Sequence, residues 1–176
     1  GGFFAFATTL ATGSFWLGFV AGALAGAILA GVLVLLTIVL HANQIVVGIG
    51  IILAGTGMSS MLYESWFGMS LPRLGLPVSW KIPGLSALPI VGESLFAQPS
   101  MFFASLGFVL VVSWWLRASA AGLRLRAAGQ DPTALDAAGG NVTLTRSLAA
   151  LFAGALAGIA GAYLALLSAG TFTPGM

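Results

Sequence analysis

The side chains that could do chemistry are few in this chain and far apart. There is one lysine, Lys81, one histidine, His41, and no cysteine. No HExxH motif or carboxylate cluster could hold a metal, and no GxxxxGK[ST] motif could bind the phosphates of ATP. A Ser-His-Asp triad or a Ser–Lys dyad would need His41 or Lys81. The topology derived below puts Lys81 in the extracytoplasmic loop, and the alternation of spans then puts His41 in the cytoplasm. We therefore predict no catalytic residue, no metal site and no cofactor.

The charged residues concentrate in one segment, 117–146, which holds six of the ten. Within it, the run GQDPTALDAAGG predicts a short helix. Asp131 can accept a backbone N–H as the N-cap, and Pro132 suits the first helical position because it has no N–H to satisfy. Gly139 or Gly140 can take the left-handed conformation that ends a helix. This gives about two turns, too short to cross a membrane, and we expect the helix to lie at the membrane surface and dock a partner protein.

Composition indicates how this segment is positioned. Hydrophobic residues make up 59% of the chain and charged residues 6%, and no charged residue occurs in 1–63, 94–116 or 147–176. Apolar runs of this length are typical of membrane-spanning helices. We predict an all-α, polytopic helical membrane protein with about four complete transmembrane helices. The predicted spans are residues 15 to about 40, 45–63, 100–116 and 147 to about 169, after an N-terminal helix tail at 1–12.

Loop charges predict the topology. Segment 117–146 carries four arginines against two aspartates, whereas 64–99 carries two bases and two acids. The arginine excess places 117–146 in the cytoplasm and makes 64–99 an extracytoplasmic loop. That loop holds five of the seven prolines and either caps the helix bundle or contacts a soluble delivery partner. With only six basic residues, the pI near 9.7 does not indicate nucleic-acid binding. The abrupt apolar ends favour a single transmembrane domain, 1–176, cut from a longer polypeptide.

Small and polar residues in or next to the spans could have either a structural or a functional role. Four-residue spacing puts glycines on one helix face, where close helix packing or a mobile gating helix could use them. Asn43 and Gln44 could cap the helix that follows them or face a polar pathway. The glycines with these two alternatives are Gly18, Gly22 and Gly26. Gly154 and Gly158 have the same spacing, in a span that we expect to be buried among other helices.

Several stretches resemble a known family. GLRLRAAGQDPTALDAAGGNV, residues 122–142, is similar to the cytoplasmic loop of ABC-importer permeases of the branched-chain amino acid, ribose and nucleoside superfamily, whose usual form is close to GLRLRAVGENPxAAxxAGINV. HANQIVVG, residues 41–48, resembles the polar break that precedes a span in that family. IPGLSALPIVGESLF, residues 82–96, resembles the extracytoplasmic loop of its nucleoside and simple-sugar members. The resemblance covers essentially the whole chain.

The resemblance implies a permease subunit of the cell (inner) membrane that carries a nucleoside or simple sugar. It makes 132–138 the coupling helix, which fits a cleft on a cytoplasmic ABC ATPase subunit. Gly129 would supply the turn before the cap and Leu135 an apolar contact. A second permease subunit and an extracytoplasmic substrate-binding protein are the other implied partners, besides the lipid bilayer.

The chain departs from the family pattern at three positions. Gln130 stands where the family often has Glu, Asp131 where it often has Asn, and Gly140 where it often has Ile. The loss of the Glu charge weakens any salt bridge at that point, whereas Asp131 remains able to cap the helix. The alternative function is a passive channel or a non-transporting helix-bundle scaffold, which would purify without an ATPase subunit.

Overall fold

The computed structural model describes residues 1–68 and 100–168, and the regular structure within these ranges is helical. The predicted all-α fold is confirmed. The helices are α1 Gly2–Thr12, α2 Phe15–Val34 with a π-helical continuation Leu35–Val39, α3 Gln44–Phe67, α4 Ser100–Ala118, α5 Ala120–Gln130, α6 Pro132–Ala137, and α7 Val142–Tyr163 with a π-helical continuation Leu164–Ser168.

Within residues 1–68 and 100–168, three helices are long and apolar enough to cross a membrane: Phe15–Val39, Gln44–Phe67 and Val142–Leu166. A fourth candidate is the pair Phe103–Ala118 and Ala120–Gln130, which is bent by 79°. These helices agree with the prediction of a polytopic membrane protein. Most of the predicted extracytoplasmic loop, 69–99, lies outside the described residues, as does the end of the last predicted span. The sides assigned to the two loops stay predictions.

The chain divides into two compact units, whose described parts are 1–68 with 141–168 and 100–140. In the first unit, α2 packs along α7 through the glycines at four-residue spacing. A Cβ on Gly22 would lie 2.9 Å from the Cβ of Ala162, and one on Gly158 would meet the backbone oxygen of Gly22. The helix axes can come this close because no side chain stands between them.

Helix α1 closes the same unit and ends at Gly13, whose φ of 70° is left-handed. It buries Phe3, Phe6 and Thr9, and the Thr9 hydroxyl donates to the carbonyl of Ala5 over 2.9 Å. A polar side chain that bonds its own helix in this way can be buried at little cost.

Helix α3 is held to α1 by aromatic rings near its C-terminal end. The ring centroids of Phe3 and Trp66 are 6.0 Å apart, and those of Phe6 and Phe67 are 5.9 Å apart, both edge to face. Farther along α3, Gly50 and Gly57 have no atom near the place of a Cβ. The glycines of α3 therefore differ from Gly18, Gly22 and Gly26 of α2, where an added Cβ would lie within 3.0 Å of a neighbouring atom.

Two spans begin at asparagine caps. The side chain of Asn43 accepts from the N–H of Ile45 over 2.9 Å at the start of α3, and that of Asn141 accepts from Leu144 over 2.8 Å at the start of α7. Helix α7 thus begins at Val142, earlier than the predicted start at residue 147, because a capped polar turn precedes the apolar run.

Candidate functional site

The segment 117–146 is mostly helical, and it begins with a sharp turn. Ser119 separates α4 from α5, and its side chain accepts from the N–H of Gly122 over 3.0 Å. Hydrogen bonding to this N-cap starts a new helix at 79° to the one before. A Cβ on Gly122 would lie 2.6 Å from the carbonyl carbon of Leu116. Glycine at this position is what lets the two helices meet at this angle.

Helix α5 was missing from the sequence interpretation. Gly129, expected to supply a turn before the cap, lies inside α5, and Gln130 is its last residue. That expectation is wrong, because alanine, leucine and arginine favour helix throughout this stretch and the chain turns only at Asp131. The signal for α5 was Ser119, a good N-cap ahead of these residues.

Asp131 caps α6 as its sequence indicates. Its carboxylate accepts from the backbone N–H of Ala134 over 3.0 Å and from the hydroxyl of Thr133. Pro132 occupies the first turn. The Thr133 hydroxyl, followed by the Ala134 amide, holds the pKa of the Asp131 carboxyl below its usual value. The aspartate is therefore ionised at neutral pH and sits at the positive end of the helix dipole.

The C-terminal end of α6 folds back on itself. Gly139 has a left-handed φ of 77° and donates to the carbonyl of Asp136, while Gly140 donates to the carbonyl of Leu135, each over 2.9 Å. A Cβ on Gly140 would collide with the side chain of Leu135. The glycine thus makes room for this leucine, and the departure from isoleucine at position 140 has a structural reason.

Leu135 is buried, with 7% of its surface exposed. Its side chain fills the space that Gly140 leaves open and does not project from α6. The predicted contact of Leu135 with a partner stays a prediction. The exposed side chains of α6 and of its C-cap residue, Ala138, are small or polar. They are Thr133, Ala134, Asp136, Ala137 and Ala138.

A pocket of about 310 Å³ lies in the first unit, between α1, α2, α3 and the end of α7. Among the described residues that line it, the polar side chains are Thr56 and Ser59, and none is charged. The Thr56 hydroxyl donates to the carbonyl of Ile52 over 3.0 Å and that of Ser59 to Gly55 over 2.7 Å. Each oxygen keeps the capacity to accept a hydrogen bond from a solute.

Asn43 and Gln44, the two polar residues considered for a polar pathway, do not lie at this pocket. Asn43 and Gln44 are exposed at the N-terminal end of α3, and neither lines this pocket. Asn43 is the cap of α3. The sequence analysis did not predict a role for Thr56 and Ser59, because isolated hydroxyl residues are common in apolar spans and do not by themselves indicate a binding site.

Comparison with known proteins places these features in a family. The model of the family described as "Branched-chain amino acid transport system / permease component" matches residues 1–174. No solved structure matches the chain significantly.

Three curated relatives agree with this match. The chain is 36% identical over 174 residues to the "Putative glucose ABC transporter permease protein TsgC13" of Haloferax volcanii, covering 97% of the chain and 52% of the relative. It is 32% identical over 162 residues to the nucleoside ABC transporter permease protein NupC of Lactococcus lactis, covering 90% and 50%. It is 29% identical over 164 residues to the guanosine ABC transporter permease protein NupQ of Bacillus subtilis, with the same coverage. The chain thus spans about half the length of these relatives.

The family match and the apolar helices establish a multi-pass protein of the cell membrane, from a family of transporter permeases rather than of enzymes. The chain belongs to the family of ABC transporter permeases whose description is "Branched-chain amino acid transport system / permease component".

Proposed function

We propose that the chain is the pathway-forming part of an ATP-driven importer for a nucleoside or simple sugar, and that α6 couples it to a cytoplasmic ATPase subunit. The observation that carries this proposal is α6 itself, a six-residue helix defined at its start by Asp131 and followed by the left-handed Gly139. A helix this short has little stability of its own. Its caps and the packing of Leu135 on Gly140 keep it folded.

The local geometry suits the transmission of movement. Leu135 packs inward, and the loop closes with two backbone hydrogen bonds at Gly139 and Gly140. A push on α6 would therefore move the segment as a body before it deformed the loop. Helix α5, which precedes α6 directly, is joined to α4 by a bend that Gly122 keeps tight. The proposed partners are the ATPase, a second permease subunit and an extracytoplasmic substrate-binding protein.

Two observations support a neutral, polar solute. The pocket in the first unit carries hydroxyl groups at Thr56 and Ser59, and none of its lining residues in the described part of the chain is charged. The curated relatives are named for glucose, nucleosides and guanosine. Hydroxyl oxygens that accept from solute O–H or N–H groups suit such compounds better than they suit ions.

The docking role is tested by a bulky side chain on the exposed face of α6. Ala137→Trp should abolish co-purification of the ATPase subunit, because the large ring holds the two surfaces apart. Ala121→Trp, on an exposed position of α5, is the matched control and should keep the subunit. Retention of the ATPase by the Ala137→Trp variant would show that α6 is not the docking element.

The substrate class is tested by ATPase stimulation in a reconstituted complex of the full-length permease, its ATPase and its binding protein. Nucleosides, simple sugars and branched-chain amino acids are added in turn. Stimulation by nucleosides or sugars supports the proposal, and stimulation by amino acids alone refutes the substrate class. Solute flux through the permease without ATP would favour a passive channel.

A further inference from the structure

Helix α5 carries a basic surface that neither the pocket nor α6 uses. Arg124 and Arg126 lie on α5, Arg117 lies in the last turn of α4, and all three side chains are exposed. No aspartate or glutamate occurs between residues 100 and 130. The surface formed by these three arginines, called here the arginine surface, is therefore of one sign.

The position of α5 relative to the span is marked by two tryptophans. Trp114 and Trp115, in the last turns of α4, are 69% and 43% exposed. Exposed tryptophans near the end of a span mark the level of the lipid headgroups. Helix α5 begins at Ala120, just past this level, and turns 79° away from the axis of α4. With α4 close to the membrane normal, a helix at this angle to α4 runs along the membrane surface.

The exposed side of α5 has an apolar centre and basic edges. At 3.6 residues per turn, Arg124 and Arg126 lie about 160° apart around the helix. Leu123 lies between them on the exposed arc and is 62% exposed, whereas Gly122 and Ala128 are buried on the opposite side. An apolar side chain flanked by long cationic ones is typical of helices that lie in the membrane interface. In such a helix the leucine can reach the upper acyl chains while the arginine stems extend to the phosphates.

We propose that the arginine surface binds the headgroups of acidic phospholipids. Guanidinium groups pair well with phosphate oxygens, because their planar N–H donors can make two parallel hydrogen bonds. Lipid fits better than a protein partner because the surface lies at the tryptophan level and includes an exposed leucine beside the arginines. The inference requires only that the chain crosses a membrane. It does not depend on docking of an ATPase to α6.

Quenching of tryptophan fluorescence by brominated lipid tests the proposal, because Trp114 and Trp115 lie close in sequence to the arginine surface. In the full-length permease, every tryptophan except Trp114 and Trp115 is replaced by phenylalanine. The protein is reconstituted in phosphatidylcholine vesicles that contain a fixed minority of either brominated phosphatidylglycerol or brominated phosphatidylcholine. We expect stronger quenching by the acidic lipid, with an enrichment of roughly fivefold for each engaged arginine at low salt. The enrichment should fall as salt is raised.

Charge variants separate the arginine surface from a general effect of net charge. Arg124→Gln with Arg126→Gln should lose most of the preference, and Arg124→Lys with Arg126→Lys should keep most of it. Arg73→Gln with Lys81→Gln removes the same charge elsewhere and should leave the preference unchanged. If the tryptophan-depleted protein does not fold, retention of phosphatidylglycerol by the parent and the two arginine variants in native mass spectrometry gives the same comparison.

Two results would overturn the proposal. The first is equal quenching by the two brominated lipids in the parent protein. The second is an unchanged lipid preference in the double Gln variant. If that variant kept its lipid preference but lost the ATPase subunit, the arginines would be assigned to protein docking instead. Loss of the ATPase from the Ala137→Trp variant alone would leave the lipid proposal untouched.

Discussion

Gly26 on α2 and Gly158 on α7 approach so closely that a Cβ on Gly26 would lie 2.8 Å from the Cα of Gly158. A real Cβ atom essentially never comes within 3.0 Å of a heavy atom that belongs to another helix. The atoms met are backbone atoms, which cannot swing aside as the end of a side chain can. The separation of α2 and α7 is therefore set by glycine at these two positions.

Substitution of Gly26 should separate the two helices. We expect Gly26→Ala to destabilise the protein by about 1–3 kcal/mol, as other overpacked interiors are. Gly50→Ala is the matched control, because no atom lies within 4 Å of the place of its Cβ, and alanine favours helix over glycine by about 0.5–1 kcal/mol. Thermal unfolding in detergent measures both. Equal melting temperatures for the two variants would contradict the close approach.

The bend between α4 and α5 should depend on Gly122. In Gly122→Ala, the new methyl group meets the backbone of Leu116, so the angle between the helices should open. Because the chain has no cysteine, spin labels at Val111→Cys and Gln130→Cys report their distance without further changes. We expect a longer or broader distance distribution in Gly122→Ala. Gly129→Ala, which has open space around it, should leave the distribution as it is.

Leu135 should stabilise its own loop. Truncation of a buried leucine to alanine costs about 2–5 kcal/mol, and Leu135 is buried against Gly140. We expect Leu135→Ala to speed hydrogen exchange at the amides of Gly139 and Gly140, whose hydrogen bonds close the loop. Leu123→Ala removes the same atoms from an exposed side chain and should not change these rates. Unchanged rates in Leu135→Ala would refute the packing role.

The cap of α6 should weaken in acid. Hydrogen bonds from Thr133 and Ala134 lower the pKa of Asp131 in the folded loop, so the ionised form is the one that stabilises α6. That stabilisation is complete above the usual aspartate pKa of 3.8 and is lost as the pH falls through the lowered folded value. Protection of the Ala134 amide, corrected for the intrinsic exchange rate, should fall over this range.

Two variants check the origin of this pH dependence. Asp131→Asn keeps an oxygen acceptor but cannot titrate, so protection of Ala134 should lose its pH dependence. Thr133→Val removes the first cause of the lowered pKa, and the transition should move to higher pH. A transition at the same pH in Thr133→Val would show that this hydroxyl does not act on Asp131.

Hydropathy and capping residues were enough to predict much of this fold. The spans around residues 15–40 and 45–63 agree with the observed helices Phe15–Val39 and Gln44–Phe67, because uncharged apolar runs of that length have few other stable forms in a membrane. The cap at Asp131 was predictable because it depends on neighbouring residues alone. The side of the membrane on which each loop lies stays a prediction.

The errors came where tertiary contacts or one local break decided the outcome. Helix α5 was not predicted, because the arginines of this segment indicate a loop outside the membrane. The N-cap residue Ser119 is the local signal for its beginning. The burial of Leu135 could not be seen, because it depends on the chain returning at Gly140. The π-helical turns Leu35–Val39 and Leu164–Ser168 carry no residue pattern that distinguishes them from α-helix.

The contact between α2 and α7 has a thermodynamic character that follows from its residues. Gly22, Gly26, Gly154 and Gly158 have no side-chain rotamers to lose when the helices meet. A leucine buried at any of these places would lose rotamer entropy worth about 0.5–1 kcal/mol. Since these glycines have no rotamers to rearrange, the two helices can part and rejoin there without a search among side-chain conformations.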